Sequence, residues 1–278
     1  NDRKNPKVID YLNQENDYTI NQMKDTEGFQ KNLFNELKNR IKQEDESVPY
    51  EFNGYFYWRK FSMGDEHPVY LRKKLNSEND EVILNGNELA KDYDFFDLGD
   101  YDISPSNKLM AYGLDTLSRR IYQIKIKDLS NEKVYDEVLE NTTGSMVWAN
   151  DNKTIFYTKQ DQKTLRSYQI YSHQIGTSQD EDILIYEEED ETFYCYVYKS
   201  KSEKFIIINS SSTLSDEYRL IPSDQPLSTP QIFQPRIKGL EYSIYHKDQQ
   251  FYVLTNEDHH NFSLKICDIN NTSKENWK

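Results

Sequence analysis

The chain has 278 residues, and its 34 lysines and arginines against 48 aspartates and glutamates give a formal net charge of −14. Proteins that bind nucleic acid or anionic membrane surfaces usually present a basic face, so this acidic excess argues against both kinds of partner. No apolar run approaches the roughly 20 residues that span a bilayer. The polar and charged first residues do not resemble a signal peptide, so we expect a cytoplasmic location.

Residues 1–47 show the apolar spacing of a helix. Their apolar residues recur at intervals of three, four or eight: Val8, Leu12, Ile20, Met23, Phe29, Leu33, Leu37 and Ile41. This pattern predicts an N-terminal helical arm of one or two amphipathic helices. Pro6 suits a first helical turn, and Gly28 is placed to separate two segments. The polar opposite face favours solvated helices packed on a neighbour over a role at a membrane surface.

After Pro49 the apolar period changes to two, and aromatic or β-branched runs occur in pairs separated by polar turns, which is typical of antiparallel hairpins. The first strands of four successive hairpins recur at intervals of 45, 50 and 46 residues, with an earlier strand 54 residues ahead. Such a period predicts a mainly β fold, a partial β-propeller of four-stranded antiparallel blades. We expect this region to cover residues 48–278, with five blades near 50–84, 101–140, 146–187, 193–222 and 241–278.

A search for motifs of catalysis or metal binding is mostly negative. The sequence contains no Gly-x-Ser-x-Gly elbow, phosphate-binding glycine loop, His-Glu-x-x-His or Cys-x-x-Cys spacing, so we assign no catalytic, cofactor-binding or metal-binding residue. His259 and His260 lie in a polar hairpin loop and are expected to be solvated. Cys195 and Cys267 lie in apolar strand patterns, which predicts reduced, buried thiols.

Carboxylates are abundant, notably Asp100, Asp102, Asp115, Asp151 and the run 187–191. The run is interpreted as a solvated connection between blades, although it could present an acidic rim to basic ligands. A glycosidase would need two carboxylates facing each other across a sugar.

Several ordered segments resemble one family. The segments are Val8–Asn16, Asn53–Tyr57, Ile103–Tyr112, Val147–Asp151, Leu165-Arg166, His173–Thr177, Ile185–Glu188 and Thr192-Phe193. They resemble the oligopeptidase B (protease II) branch of the prolyl oligopeptidase family of serine peptidases. The resemblance covers essentially the whole chain. The sequence departs from the family's pattern at residues 117–120. Many members have an acidic residue after the Asp-Thr pair, whereas this sequence has Leu-Ser-Arg-Arg, so any charge pairing made by that acidic residue is in question here.

The resemblance implies a two-part enzyme that cleaves short basic peptides after Lys or Arg. A C-terminal α/β-hydrolase domain would carry the Ser, Asp and His, and a seven-bladed propeller would restrict access to them. This chain would then be the helical arm and about five of the seven blades, ending before the hydrolase domain. No catalytic residue of the family can be carried onto it, and alone it is expected to be inactive.

Two other functions stay open. One is a stand-alone propeller that binds a peptide or protein partner. The other is a five-bladed carbohydrate-active propeller, which would require carboxylates such as Asp102 and Asp151 to meet at about 5 to 10 Å. Five blades of seven would also leave blade faces uncovered, so we expect an open arc or an associating chain.

Overall fold

The computed structural model describes residues 2–278, and its chain begins with two helices. Helix α1 spans Pro6–Met23, and the Asn5 side chain caps it by accepting a hydrogen bond from the Lys7 amide at 3.0 Å. A short 3₁₀ turn at Lys24–Thr26 leads into α2 (Glu27–Asn39). Gly28 therefore lies inside α2, and the break comes just before it.

The apolar face of the arm is uncovered. Neither helix contains a buried residue, and the eight apolar residues of the predicted stripe are between 41% (Leu33) and 68% (Phe29) exposed. The helices themselves are confirmed, and no part of residues 2–278 supplies the neighbour on which they were expected to pack. No helix in this part of the chain is long and apolar enough to cross a membrane.

The remainder is built from antiparallel strands in four sheets. The first sheet contains β1 Asp45–Glu46, β2 Tyr50–Phe52, β3 Tyr55–Phe61, β4 Val69–Lys74 and β5 Asp80–Asn85, and helix α3 (Gly86–Ala90) follows β5. The second sheet contains β6 Asp97–Ile103, β7 Leu109–Asp115, β8 Tyr122–Asp128, β9 Val134–Trp148, β10 Thr154–Gln160, β11 Ser167–Gln174 and β12 Ile183–Glu187. The third sheet contains β13 Tyr194–Lys199, β14 Phe205–Ser211, β15 Asp216–Pro222 and β16 Gln231–Ile232, and the fourth contains β17 Tyr242–Lys247, β18 Gln250–Thr255 and β19 Ser263–Asp268. Strands adjacent in sequence are hydrogen-bonded neighbours within each sheet, apart from β1 and β2, which both pair with β3.

The second sheet consists of two blades joined by the 15-residue strand β9. Residues 134–142 of β9 pair with β8, and residues 146–148 pair with β10, which also pairs with Thr142. Gly144, between the two pairings, has a φ of +82°, and a Cβ there would lie 2.7 Å from the ring of Tyr122. Glycine is required at this change of direction because other residues would be strained and would clash. The strands thus form five blades in chain order.

The core consists of four buried clusters, each between two consecutive blades. Tyr57 and Tyr112 belong to the first cluster, Ile126 and Trp148 to the second, Ile170 and Ile206 to the third, and Ile207 and Tyr242 to the fourth. The adjacent residues Ile206 and Ile207 lie in different clusters, because successive side chains of a strand point to opposite faces.

None of these clusters joins the first blade to the last, so the described residues form an open arc. Apolar side chains of the end blades are exposed, among them Val82 (50%) in the first blade and Leu264 (62%) in the last. The predicted fold class, a partial β-propeller preceded by a helical arm, is confirmed.

Candidate functional site

The turns between the first and second strands of the blades each contain at least one residue with a positive φ. These residues are Asn53, Asn107, Asn152, Glu203 and Asp248, and in the first turn Gly54 also has a positive φ. Asparagine tolerates the left-handed region better than most residues. Three of the five positions are therefore occupied by the residue type that this turn favours.

These turns also bond to one another across the blade boundaries. The Asn53 side chain donates to the Pro105 carbonyl at 2.8 Å, and the Asn107 side chain donates to the Asn53 carbonyl at 3.1 Å. In the next pair of blades, the Ser106 amide donates to the Asn152 side chain at 2.6 Å. The turns of consecutive blades are thus held together at one end of the arc. We call the first strands of the blades (β2, β6, residues 145–148 of β9, β13 and β17) the inner strands.

A cavity of about 550 Å³ lies beside these turns, between inner strands of different blades. Its polar and aromatic lining includes Phe52, Asn53, Asp100, Asp102, Lys199 and Glu203. The Lys199 ammonium and the Glu203 carboxylate form an ion pair at 2.8 Å. With two aspartates beside a neutralised pair, the cavity has a net negative lining that suits a cationic group. We regard it as the candidate site of the chain.

Asp102 is the carboxylate most affected by its surroundings. Its two oxygens accept hydrogen bonds from the amides of Ile103 and Trp148, both at 2.9 Å, and the Trp148 indole donates to the Asp102 carbonyl at 3.1 Å. Burial raises the pKa of Asp102 to about 6, against the opposing effects of these amides and of Lys199. Asp102 thus connects β6 to β9 and presents a charge that is only partly solvated.

The other carboxylates singled out in the sequence have local structural roles. Asp115 accepts three backbone hydrogen bonds, from Leu117, Arg119 and Arg120, at 2.7 to 3.0 Å, and so closes the loop 117–120. Asp151 accepts hydrogen bonds from the amides of residues 153 and 154. It lines a different cavity, and Asp102 is not part of the lining of that cavity. Asp102 and Asp151 are therefore not brought into one site, and this removes the support for a carbohydrate-active propeller.

The acidic run 187–191 is solvated except at one position. Glu187, Glu189, Asp190 and Glu191 are exposed, whereas Glu188 is only 3% exposed. The Glu188 carboxylate accepts from the Arg236 guanidinium at 2.5 Å and from the Tyr186 hydroxyl at 2.7 Å. The interpretation as a solvated connection is wrong for Glu188, because a cation 48 residues later in the chain compensates its charge. No local sequence signal marks that partner.

The cysteines and the paired histidines lie away from the candidate site. Cys195 and Cys267 are buried and unpaired, as predicted, and burial raises the pKa of their thiols to about 12 and about 11. His259 and His260 are exposed in the loop between β18 and β19. Within residues 2–278, no three His, Cys, Asp or Glu side chains are grouped so that they could hold a metal ion.

Known proteins resemble the chain along its whole length. It is 34% identical to dipeptidyl aminopeptidase BI of Pseudoxanthomonas mexicana over 99% of the chain and 40% of that protein. It is 32% identical to Protease 2 of Moraxella lacunata over 99% of the chain and 41% of that protein. The chain thus spans about two fifths of the length of these relatives.

Solved structures agree with this similarity. Oligopeptidase B from Leishmania major superimposes with a TM-score of 0.89 at 28% identity, over 98% of this chain and 39% of that one. Oligopeptidase B from Trypanosoma brucei, with covalently bound antipain, superimposes with a TM-score of 0.86 at 25% identity, over 100% of this chain and 40% of that one. The family model for the N-terminal β-propeller domain of prolyl oligopeptidase matches residues 1–278. The chain therefore belongs to the prolyl oligopeptidase family of serine peptidases and corresponds to its N-terminal propeller region.

Proposed function

We propose that this chain is the propeller portion of a serine oligopeptidase that cleaves short peptides after Lys or Arg. The observation that carries the proposal is the similarity over the whole chain to Protease 2 and to the oligopeptidase B structures, each of which extends well beyond the aligned part. The nucleophilic serine, with its histidine and aspartate, would come from a C-terminal α/β-hydrolase domain of the same protein. The chain alone would be inactive.

The propeller would restrict which substrates reach that domain. The hydrogen bonds between the turns of consecutive blades would keep the inner strands together, so that extended peptides pass and folded proteins do not. Basic peptides would be favoured by the net charge of −14 and by the inner-strand carboxylates Asp97, Asp100 and Asp102, because a negative surface raises the encounter rate with cations.

The exposed apolar stripe of the helical arm supports a contact with the hydrolase domain. Leu33 and Leu37 on α2 and Leu12 on α1 are between 41% and 53% exposed, and burying them against a second domain would remove this apolar surface from water. A cytoplasmic location would suit the two unpaired, buried thiols, since disulfides are rare in reducing compartments.

One observation favours a second specificity. Dipeptidyl aminopeptidase BI, which matches 99% of the chain at 34% identity, is named for releasing dipeptides from the amino terminus. The same propeller could therefore serve an enzyme that requires a free substrate amino group.

The test compares the 278-residue chain with the protein extended through a hydrolase domain. Both are treated with a fluorophosphonate serine probe, an N-blocked Arg-Arg coumarin amide and a coumarin amide of an unblocked dipeptide. We expect the extended protein to be labelled and to cleave the blocked Arg substrate, and the chain to do neither.

Three other results would change the proposal. Turnover of the unblocked dipeptide alone would identify the second specificity. Labelling of the chain would place a nucleophile within it. An extended protein that is inactive on every substrate would favour a stand-alone propeller that binds a peptide or protein partner.

A further inference from the structure

A second, larger cavity lies between the fourth and fifth blades. Its volume is about 1060 Å³, and it is lined by β13 and β17 and by the turns that follow these strands. The inner strands β9 and β13 adjoin each other, whereas between β13 and β17 the walls stand apart around this cavity. Lys199 is the one residue that lines both this cavity and the candidate site around Asp102.

β13 carries a row of three tyrosines, of which Tyr198 lines the cavity. Tyr194, Tyr196 and Tyr198 alternate along the strand and are 46%, 48% and 37% exposed, while Cys195 and Val197 on the opposite face are buried. β13 pairs only with β14, so no strand is hydrogen-bonded to the backbone N–H and C=O groups of its second edge. An edge of this kind can pair with an extended peptide, and aromatic side chains at alternate positions can contact its side chains.

The cavity continues from this wall into an apolar pocket. Tyr198 and Ile207 of the fourth blade and Ile244, Tyr245 and Tyr252 of the fifth contribute to it. Rings and aliphatic groups of this size match one bulky apolar side chain of a ligand, which would displace water from them.

The turn end of the cavity carries two lysines and the exposed carboxylate of Asp248, so its net charge is positive although the protein as a whole is acidic. Lys201 and Lys247 line the cavity, are exposed, and form no ion pair with another residue of 2–278. His246 lies between them, 8% exposed, with its Nδ1 at 2.8 Å from the Ser202 hydroxyl and its buried Nε2 without a hydrogen-bond partner among the described residues. Burial lowers the pKa of His246, so the positive charge at this end comes from the lysines.

An apolar pocket next to two unpaired ammonium groups and an unpaired strand edge is complementary to one kind of ligand. We propose that this cavity binds the C-terminal end of an extended peptide, with the terminal carboxylate at Lys201 and Lys247 and an apolar or aromatic last side chain beside Tyr198 and Tyr245. The proposal rests on the proposed function, since it assigns the site to the distal end of a peptide substrate. The cavity around Asp102, with its carboxylates, would attract basic groups of the same ligands.

Fluorescence anisotropy with the 278-residue chain tests the proposal without hydrolysis. The probes are two N-terminally dye-labelled pentapeptides of one sequence ending in phenylalanine, one with a free C-terminal carboxylate and one amidated. An exposed ion pair is worth about 0.2 to 1 kcal/mol, which is roughly a 1.4- to fivefold change in affinity. With two lysines at the carboxylate, we expect the acid to bind roughly two- to 25-fold more tightly than the amide, and salt at about 0.5 M to reduce the difference.

Variants at exposed positions separate the two halves of the site. The double variant Lys201→Gln/Lys247→Gln should bring the affinity of the acid to that of the amide, whereas Tyr245→Ser should weaken both probes. The matched controls are Lys133→Gln and Tyr93→Ser, which change exposed residues of the same types far from this cavity and should change neither affinity.

Equal affinity for the acid and the amide, or a double variant that binds the acid as well as the unmodified chain does, would overturn the proposal. The outcome is independent of the hydrolysis assays. Selective binding of the acid by a protein that hydrolyses no peptide would refute the proposed function and leave the peptide site established.

Discussion

Single polar side chains determine how consecutive blades are joined. Asn53 and Asn107 bond reciprocally with the neighbouring turns, and the carboxylate of Asp102 holds the amide of Trp148 in the next blade. Hydrogen bonds of this kind satisfy backbone groups that would otherwise be buried without partners, which is their main contribution to stability. Asp102 accepts these hydrogen bonds with an ionisable carboxylate, so its contribution to stability depends on pH.

We predict that Asp102→Asn flattens the pH dependence of stability between pH 4 and pH 6. The native pKa of about 6 lies above the ordinary 3.8, so the folded chain binds this proton more tightly than the unfolded chain does. The free energy of unfolding therefore rises as pH falls through this window, by up to about 3 kcal/mol. Asparagine carries no charge to titrate. Urea unfolding of both proteins at pH 4, 5, 6 and 7 measures the difference.

The control for this comparison is Asp161→Asn. Asp161 is a partly exposed loop carboxylate whose pKa is lowered by hydrogen bonds from Thr164 and the Lys163 amide. The contribution of Asp161 to the free energy of unfolding is present above the ordinary pKa and is lost as pH falls. The stability due to Asp161 therefore changes with pH in the direction opposite to that due to Asp102. Stability curves of Asp102→Asn and the unmodified chain that stay parallel from pH 4 to pH 7 would contradict the prediction.

The segment between the third and fourth blades is an irregular element held by guanidinium groups. Arg166 donates to the carbonyls of Glu188, Asp190 and Phe193 at 2.6 to 2.8 Å. Arg236 lies 3.6 Å from the centroid of the Phe193 ring and forms the ion pair with Glu188. The two arginines thus replace the strand pairing that orders the rest of the blades.

We predict that Arg236→Met lowers the free energy of unfolding at pH 7 by about 3 kcal/mol. The change leaves Glu188 as a buried charge without its partner, which costs more than the lost ion pair alone. Chemical denaturation measures the loss. The matched control is Arg40→Met, because Arg40, directly after α2, pairs with Glu36 where both side chains are exposed, and such pairs contribute at most about 0.5 kcal/mol.

The effect of Arg236→Met should depend on pH. Burial opposes ionisation of Glu188, but hydrogen bonds from Arg236 and Tyr186 hold its pKa below the usual 4.5. The stabilisation from the pair is therefore complete above pH 4.5 and is lost as pH falls through the native pKa. A loss of stability that is the same at pH 7 and at pH 3 would show that the pair does not cause it.

At the scale of the whole molecule, the arc and the arm are separate parts. Four buried clusters connect the five blades in series, whereas α1 and α2 bury no residue. Helices of this length depend on tertiary packing for most of their stability. The blades should therefore fold independently of the arm in the isolated chain.

We predict that deletion of residues 1–44 leaves the unfolding free energy of the blades within about 0.5 kcal/mol of its original value, because no side chain of residues 2–44 is buried. Far-UV circular dichroism should lose its helical part while the thermal transition of the sheets stays in place. A fall of the melting temperature by more than about 5 °C would mean that the arm packs on the blades in solution.

The sequence by itself determined the features that depend on neighbouring residues. The paired aromatic and β-branched runs, such as the one containing Phe205–Ile208, predicted strands, the polar turns between them predicted hairpins, and the 45- to 54-residue interval implied repeated blades. These signals are local, since periodicity and turn chemistry act over a few residues. The motif segments then identified the family.

Only the tertiary structure decided which distant residues meet. The pairing of Glu188 with Arg236, the raised pKa of Asp102, the double use of β9 and the cavity beside Tyr198 all depend on contacts between residues that are tens of positions apart in the sequence. The helical arm is a further example. The spacing of its apolar residues predicted the helices, whereas the exposure of their apolar face was visible only in the structure. Burial and charge compensation depend on what packs against a side chain, and the local sequence pattern does not contain that information.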